Sequence, residues 1–317
     1  MIYWRLAAAI TFASFATIVC MATAVFALTA RAIARRVNER APASRAAGLF
    51  GLRLLPSAAG LFGAFVIVLP MFLRFEPSDT QESVATTLAV VGAAGALLLA
   101  RGAWRAVLAW RATRALAREW RVRARRLTMS DVPVPVFAID ETYPMVAVVG
   151  FRRPELFVSE RVLRACSADE VRAMLLHECA HIAARDNIRR VVLRACPGLL
   201  PANRGLDALW AQATEEAADA AAARSRPDLR TDLAHALVTV ARLATGAHRP
   251  LSASALYLGG TIESRVRRLL DPAEPQTPPH FHIQAATVVV IIGTIVGAAV
   301  FGRTLHGAIE AAVKFLP

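Results

Sequence analysis

The sequence predicts a predominantly helical α+β fold: a polytopic membrane protein with about four transmembrane helices and one water-exposed domain carrying a small β-sheet. Three observations predict it. Long uncharged apolar runs alternate with arginine-rich stretches. Short β-branched runs punctuated by proline cluster between residues 132 and 159. Helical texture with a capping signature then resumes at Ser167.

The spans come first. The 317 residues are 56% hydrophobic and the mean hydropathy is +0.45, too apolar for an ordinary soluble protein. A bilayer-crossing helix needs about 20 apolar residues. The runs at 6–30, 54–73 and 283–302 meet that length, and the Gly- and Ala-rich run at 83–100 lies close to its lower limit. Arg5 ahead of the first run imitates a signal peptide, but the run exceeds a signal core of about 7–15 residues. Arg31, Arg35 and Arg36 follow it as a stop, so it reads as a retained helix.

The net charge of +13 suits either a nucleic-acid surface or cytoplasmic retention of arginine. Its distribution favours the second. Arg31, Arg35, Arg36, Arg40, Arg45 and Arg53 lie between the first two spans, whereas the next loop carries Arg74 among Glu76, Asp79 and Glu82. Nine arginines between Arg101 and Arg126 follow the third span. This alternation places the N-terminus outside, residues 101–282 in the cytoplasm and the C-terminus outside, with the fourth span and a short tail at 283–317, in a multi-pass cell-membrane protein. Membrane lipid is the expected surround, and no nucleic-acid partner is expected. The four cysteines, Cys20, Cys166, Cys179 and Cys196, form no CxxC pair, which argues against a cysteine zinc knuckle or a thioredoxin-type motif.

Within the soluble segment, residues 103–127 predict a helix of Ala, Arg, Leu and Trp leaving the membrane. Residues 136–139, 145–149 and 156–158 predict short strands, with prolines at their starts suiting edge positions. Ser167-Ala168-Asp169-Glu170 fits a capping box, in which Ser caps the first turn and Glu reaches back to the cap. Further helices are predicted at 206–224, 228–243 and 262–270, and a Pro-rich connector at 271–279 leads to the last span.

The capped helix carries His177-Glu178-Cys179-Ala180-His181. Histidines four apart share one helix face, so their imidazoles can converge on one ion. Zinc suits that donor type, and a catalytic site keeps three protein ligands plus water. Glu178, beside the first ligand, is placed to act as general base and then to protonate the leaving amine. The alternative, a helix with two chance surface histidines, loses weight because a cap and a preceding sheet frame the motif. A gluzincin-like zinc peptidase domain also needs a carboxylate from a later helix. Glu215-Glu216-Ala217-Ala218-Asp219 supplies it 34 residues after His181. Glu215 and Asp219 share a face, so either can ligate while the other orients a histidine; Glu216 points about 100° away. Asp186 is a candidate for holding a ligand or capping the motif helix, with a surface role weighing equally. His235 and His248 are spare imidazoles, for which structural roles weigh more than oxyanion stabilisation. His280 and His282 look interfacial. No GxSxG appears, so a serine hydrolase lacks its usual sign.

The stretch VPVFAIDETYPMVAVVGFRRPELFVSERVLRACSADEVRAMLLHECAHIAARDN, with TEEAADA and ESRVRRLLD, resembles the catalytic core of BlaR/MecR-type membrane zinc metallopeptidases. HtpX-like peptidases, which share HExxH and E-x-x-A-D, are the nearest alternative. The resemblance covers the layout of spans and residues 132–270. It implies one zinc ion on His177, His181 and Glu215, with Glu178 as catalytic base and Asp219 behind a ligand. It also implies a protein or peptide substrate lying extended on an edge strand at Leu156, Phe157, Val158 and Ser159. The substrate is then a cytoplasmic protein such as a transcriptional regulator, or, on the HtpX-type alternative, a quality-control client. A catalytically inactive signalling scaffold is the remaining alternative. About 15 residues follow Gly302, so no penicillin-binding sensor domain is expected in this chain, and any signal would reach it through the spans or a separate sensor protein.

Overall fold

The computed structural model describes residues 2–38, 40–77, 84–129, 131–197, 201–244 and 262–271, with 307 and 311 as isolated positions. The predicted span at 283–302 and His248, His280 and His282 lie outside the described residues.

Among the described residues, three helices are long and apolar enough to cross a membrane. Helix α1 (Ile2–Asn38) is uninterrupted. Helix α2 (Pro42–Leu61) runs through a π-helical stretch (Phe62–Val68) into α3 (Leu69–Phe75). Pro70 has no N–H to return to the preceding turn, and the helix widens in the turn that this proline would otherwise break. Helix α4 (Thr86–Arg123) is 38 residues long, about 57 Å at 1.5 Å per residue. The third span and the predicted exit helix are therefore one rod, and residues 125–127 form a strand instead of its last turn. The bundle closes through small residues: a Cβ on Gly95 of α4 would run into the Phe12 carbonyl of α1.

Among the described residues the sheet has four strands: β1 (Arg125–Leu127), β2 (Val136–Ile139), β3 (Val146–Val149) and β4 (Glu155–Ser159), in the order β1-β2-β4-β3. β2 and β4 are parallel, and the other two pairings are antiparallel. β4 is therefore hydrogen-bonded on both sides and buried throughout. Leu156, Phe157, Val158 and Ser159 have no free edge, which corrects the substrate-strand expectation. Pro154 stands just before the first paired residue and so removes no ladder hydrogen bond from a central strand. One sheet face packs on α4, where Trp120 meets Phe157 edge-on and Phe157 stacks on Phe137. The other face joins the main core.

That core is built by helices that follow the sheet: α5 (Glu160–Ala165), α6 (Ala168–Ala183), α7 (Asp186–Ala195), α8 (Pro201–Ser225), α9 (Arg230–Ala244) and α10 (Ile262–Leu270). Helices α5 and α7 are not anticipated from the sequence, being only 6 and 10 residues long. The predicted capping box is formed: the Glu170 N–H donates to Ser167 Oγ (3.1 Å) and the Ser167 N–H to Glu170 Oε2 (2.7 Å). Val171, Met174 and Leu175 of α6 then bury against Leu156 and Val158 of β4 and Leu233 and Leu237 of α9.

The apolar helices do not stand apart from this domain. Ala46 and Leu49 of α2 share a core with Leu193 of α7 and with Leu206 and Trp210 of α8. Buried Arg53 donates through Nε to Asp207 at 3.0 Å. Gly102 of α4 lies so close to the Ala195 carbonyl of α7 that no Cβ fits.

Candidate metal centre

Helix α6 presents His177 and His181 on one face, both nearly buried. Two residues past its end, Arg185 adopts a left-handed conformation (φ 55°), which costs about 1–2 kcal/mol for a residue with a Cβ. The reversal starts α7 at once and turns Asp186 back toward the motif. The Nδ1 of His181 is 2.8 Å from Asp186 Oδ2. Helix α8 supplies the other wall: His177 Nδ1 is 2.9 Å from Asp219 Oδ1. Both Nδ1 atoms lie beside carboxylates, His181 in a hydrogen bond and His177 in a close contact, and this favours the tautomer that leaves each Nε2 lone pair free.

The two Nε2 atoms are 3.2 Å apart. Glu215 Oε2 is 3.5 Å from His177 Nε2, and Glu215 Oε1 is 3.5 Å from His181 Nε2. Donors at about 2.0–2.1 Å around a tetrahedral ion lie roughly 3.3 Å from one another. The Nε2–Nε2 separation is close to that edge length, each Glu215 oxygen lies 3.5 Å from a different Nε2, and one donor atom from each of the three residues falls within 4.8 Å of the others. Glu215 is 1% exposed, and its Oε1 has no hydrogen-bond donor. An orphaned carboxylate oxygen facing two imidazole lone pairs is a strong reason for a cation to bind there. The N₂O donor set suits zinc better than calcium or magnesium, which prefer all-oxygen shells.

Electrostatics agree. Burial alone would lower the His177 pKa, but the Asp219 and Glu215 carboxylates outweigh it and raise it to about 10. Burial would likewise raise Glu215, yet His177, His181 and Arg265 pull it down to about 2. Glu178 is half-buried, and desolvation holds its carboxyl above the ordinary carboxylate range, against the pull of His181 and His177. A raised carboxyl close to two histidines that could hold a metal has the character of a general base that must later return its proton.

The structure thus brings together His177, Glu178, His181, Asp186, Glu215 and Asp219. It does not bring His235 to them: that residue is exposed on α9. Two arginines were missed by the sequence analysis. Arg265 of α10 is 1% exposed; its Nε and Nη2 each donate to Asp219 at 2.7 Å, and its Nη1 is 3.2 Å from Glu215 Oε2. It is one of three arginines within a short basic helix, and nothing local marks it as the buried one. Arg190 of α7 approaches Glu215 Oε1 at 3.8 Å. Glu216, set aside as a ligand, is nearly buried and pairs instead with Arg268 (2.7 Å) and with Arg45 of α2.

No curated protein matches this chain. A solved structure titled "Crystal Structure of S. mikatae Ste24p" is similar at 15% sequence identity, over 73% of this chain and 76% of that one, with a TM-score of 0.34. Residues 111–257 match the family described as Peptidase family M48, whose members are zinc metallopeptidases, and that stretch contains His177, His181 and Glu215 together with Asp186 and Asp219.

Proposed function

We propose that this protein is a multi-pass membrane zinc endopeptidase whose ion is held by His177, His181 and Glu215. The observation that carries the reading is the convergence of two imidazole nitrogens and a buried carboxylate within 4.8 Å of one another, with Glu178 beside them. Zinc, when bound, polarises a peptide carbonyl and acidifies water. The chain's own residues do the rest. Asp219 and Asp186 hold the two imidazoles in the tautomer that directs Nε2 inward. Glu178 accepts a proton from the attacking water and passes it to the leaving nitrogen. With β4 central, the free edge beside α6 is β3. The Ser159 N–H donates to Met145 O, and this pairing turns the backbone groups of Val146 and Val148 outward. Asn187 Nδ2 already donates to Val148 O (3.3 Å), which leaves Val146 to pair with an extended substrate.

The catalytic domain faces the cytoplasm on the arginine distribution. The BlaR/MecR resemblance implies a cytoplasmic regulatory protein as substrate. A second reading, an HtpX-type quality-control peptidase, is favoured by a specific contact: α2, an apolar helix, docks directly on the metal-bearing helix α8, so substrates presented at the membrane surface are the nearer ones.

The test is zinc per chain and proteolysis in detergent for wild type, His177→Ala and Glu178→Gln. Wild type should hold one zinc, H177A should lose it, and E178Q should keep it while cleavage falls by about 10²–10⁴-fold, the usual contribution of a general base. A metal-free wild type sinks the peptidase reading and leaves the scaffold reading.

A further inference from the structure

Peptide hydrolysis at the centre described above needs a donor for the negative charge that develops on the carbonyl oxygen, and the ligand set contains none. Arg265 is committed: three of its nitrogens are taken by Asp219 and Glu215, and the side chain is closed to solvent. Asn187 is committed to the carbonyls of Val148 and Gly150. Tyr143 is buried in the cluster on the α4 face of the sheet.

Arg190 differs on each count. It sits four residues after Asp186 on α7, so the two share the helix face turned to the metal centre. Its Nη2 lies 3.8 Å from Glu215 Oε1, beyond hydrogen-bond range but close enough to place the guanidinium over the ligand set. Its side chain keeps 27% of its exposure, so its donors open toward water. Among the described residues it is the charged donor that both reaches the ligands and remains open to solvent. It is also among the groups that act electrostatically on Glu178, so it is near the base as well as the ligand.

We infer that Arg190 is the oxyanion-stabilising residue of this centre. This rests on the peptidase reading. Water oxygen bonds to the carbonyl carbon while Glu178 takes one water proton, and the C=O π pair moves to the carbonyl oxygen. Arg190 donates to that oxygen as the charge appears. The pair then returns, the C–N bond breaks, and the Glu178 proton goes to the departing nitrogen, leaving an amine and a carboxylic acid that ionises. A charge-assisted hydrogen bond made only in the transition state acts on kcat and leaves KM nearly unchanged.

The experiment compares wild type, Arg190→Lys and Arg190→Gln as the full chain in detergent. Zinc content is measured first, then affinity for a peptide phosphonate, whose tetrahedral anion mimics the intermediate, then kcat and KM on labelled casein. The expected result is full zinc in all three, phosphonate affinity and kcat lowered about 100-fold or more in R190Q with KM little changed, and partial recovery in R190K. Zinc loss in R190Q would show a structural role and overturn the inference. So would unchanged phosphonate affinity, absence of phosphonate binding by zinc-loaded wild type, or a rise in KM alone. A wild type that holds no zinc instead removes the peptidase reading on which the inference stands.

Discussion

Replacing Arg265 by methionine tests the electrostatic account of the metal centre most directly. The guanidinium is fully buried, forks onto both oxygens of Asp219 at 2.7 Å and touches Glu215 at 3.2 Å. Methionine fills much of the volume but leaves two buried carboxylates without their shared cation. Removing one partner of a buried ion pair costs about 3–5 kcal/mol. For a domain of this size, each kcal/mol moves the midpoint roughly 2–4 °C, so R265M should melt about 6–20 °C lower without metal. On the proposed function, zinc would sit beside the same carboxylates and supply the missing charge, so its addition should recover more than half of the loss. Acidification should recover it too. Burial would raise the Asp219 pKa, but Arg265 and His177 hold it below the ordinary range. A depressed carboxylate contributes stability that is present above its unfolded pKa of about 3.9 and is lost as pH falls. The gap between R265M and wild type should therefore hold from pH 7 to about pH 4 and narrow only below it. Arg265→Lys keeps the charge without the fork and should fall between the two. The assay is thermal unfolding in detergent with chelator or with zinc. An R265M midpoint within about 2 °C of wild type in chelator would refute the reasoning.

Two further outcomes follow from the same structure. Ser167→Ala removes the acceptor of the α6 capping box and should cost about 1 kcal/mol by denaturant titration, with zinc content unchanged because the cap lies at the far end of the helix from His181. The Cys166 thiol is pushed up to about 11, chiefly by burial and secondarily by Glu170. Its alkylation by iodoacetamide should stay slow at pH 8 and accelerate only as pH rises toward 11, whereas an ordinary thiol near 8.5 would already react at pH 8.

What could be read in advance depended on how local the cause is. The three long apolar helices among the described residues were legible because length and apolarity are properties of consecutive residues. The motif helix was legible because its cap, Ser167 to Glu170, and its histidine pair at spacing four both lie within one stretch. The two short helices α5 and α7 left little periodicity to detect, and the strand at 125–127 follows α4 directly, where its Arg-rich composition reads as helix.

By itself the sequence determined the donor chemistry of this protein: two imidazoles one helical turn apart, a carboxylate beside the first, and an acidic pair on a later helix that could complete a zinc shell. Only the tertiary structure decided between Glu215 and Asp219, because that choice depends on which carboxylate reaches both Nε2 atoms and which meets an Nδ1. It also decided that Asp186 turns back onto His181, which requires the left-handed step at Arg185. Strand order moved the free edge from β4 to β3, since pairing partners are set by contacts between distant segments. The burial of Arg265 and the approach of Arg190 belong to the same class. A charged side chain is recognised as part of a site only when helices far apart in sequence close around it, and that closure is a property of packing.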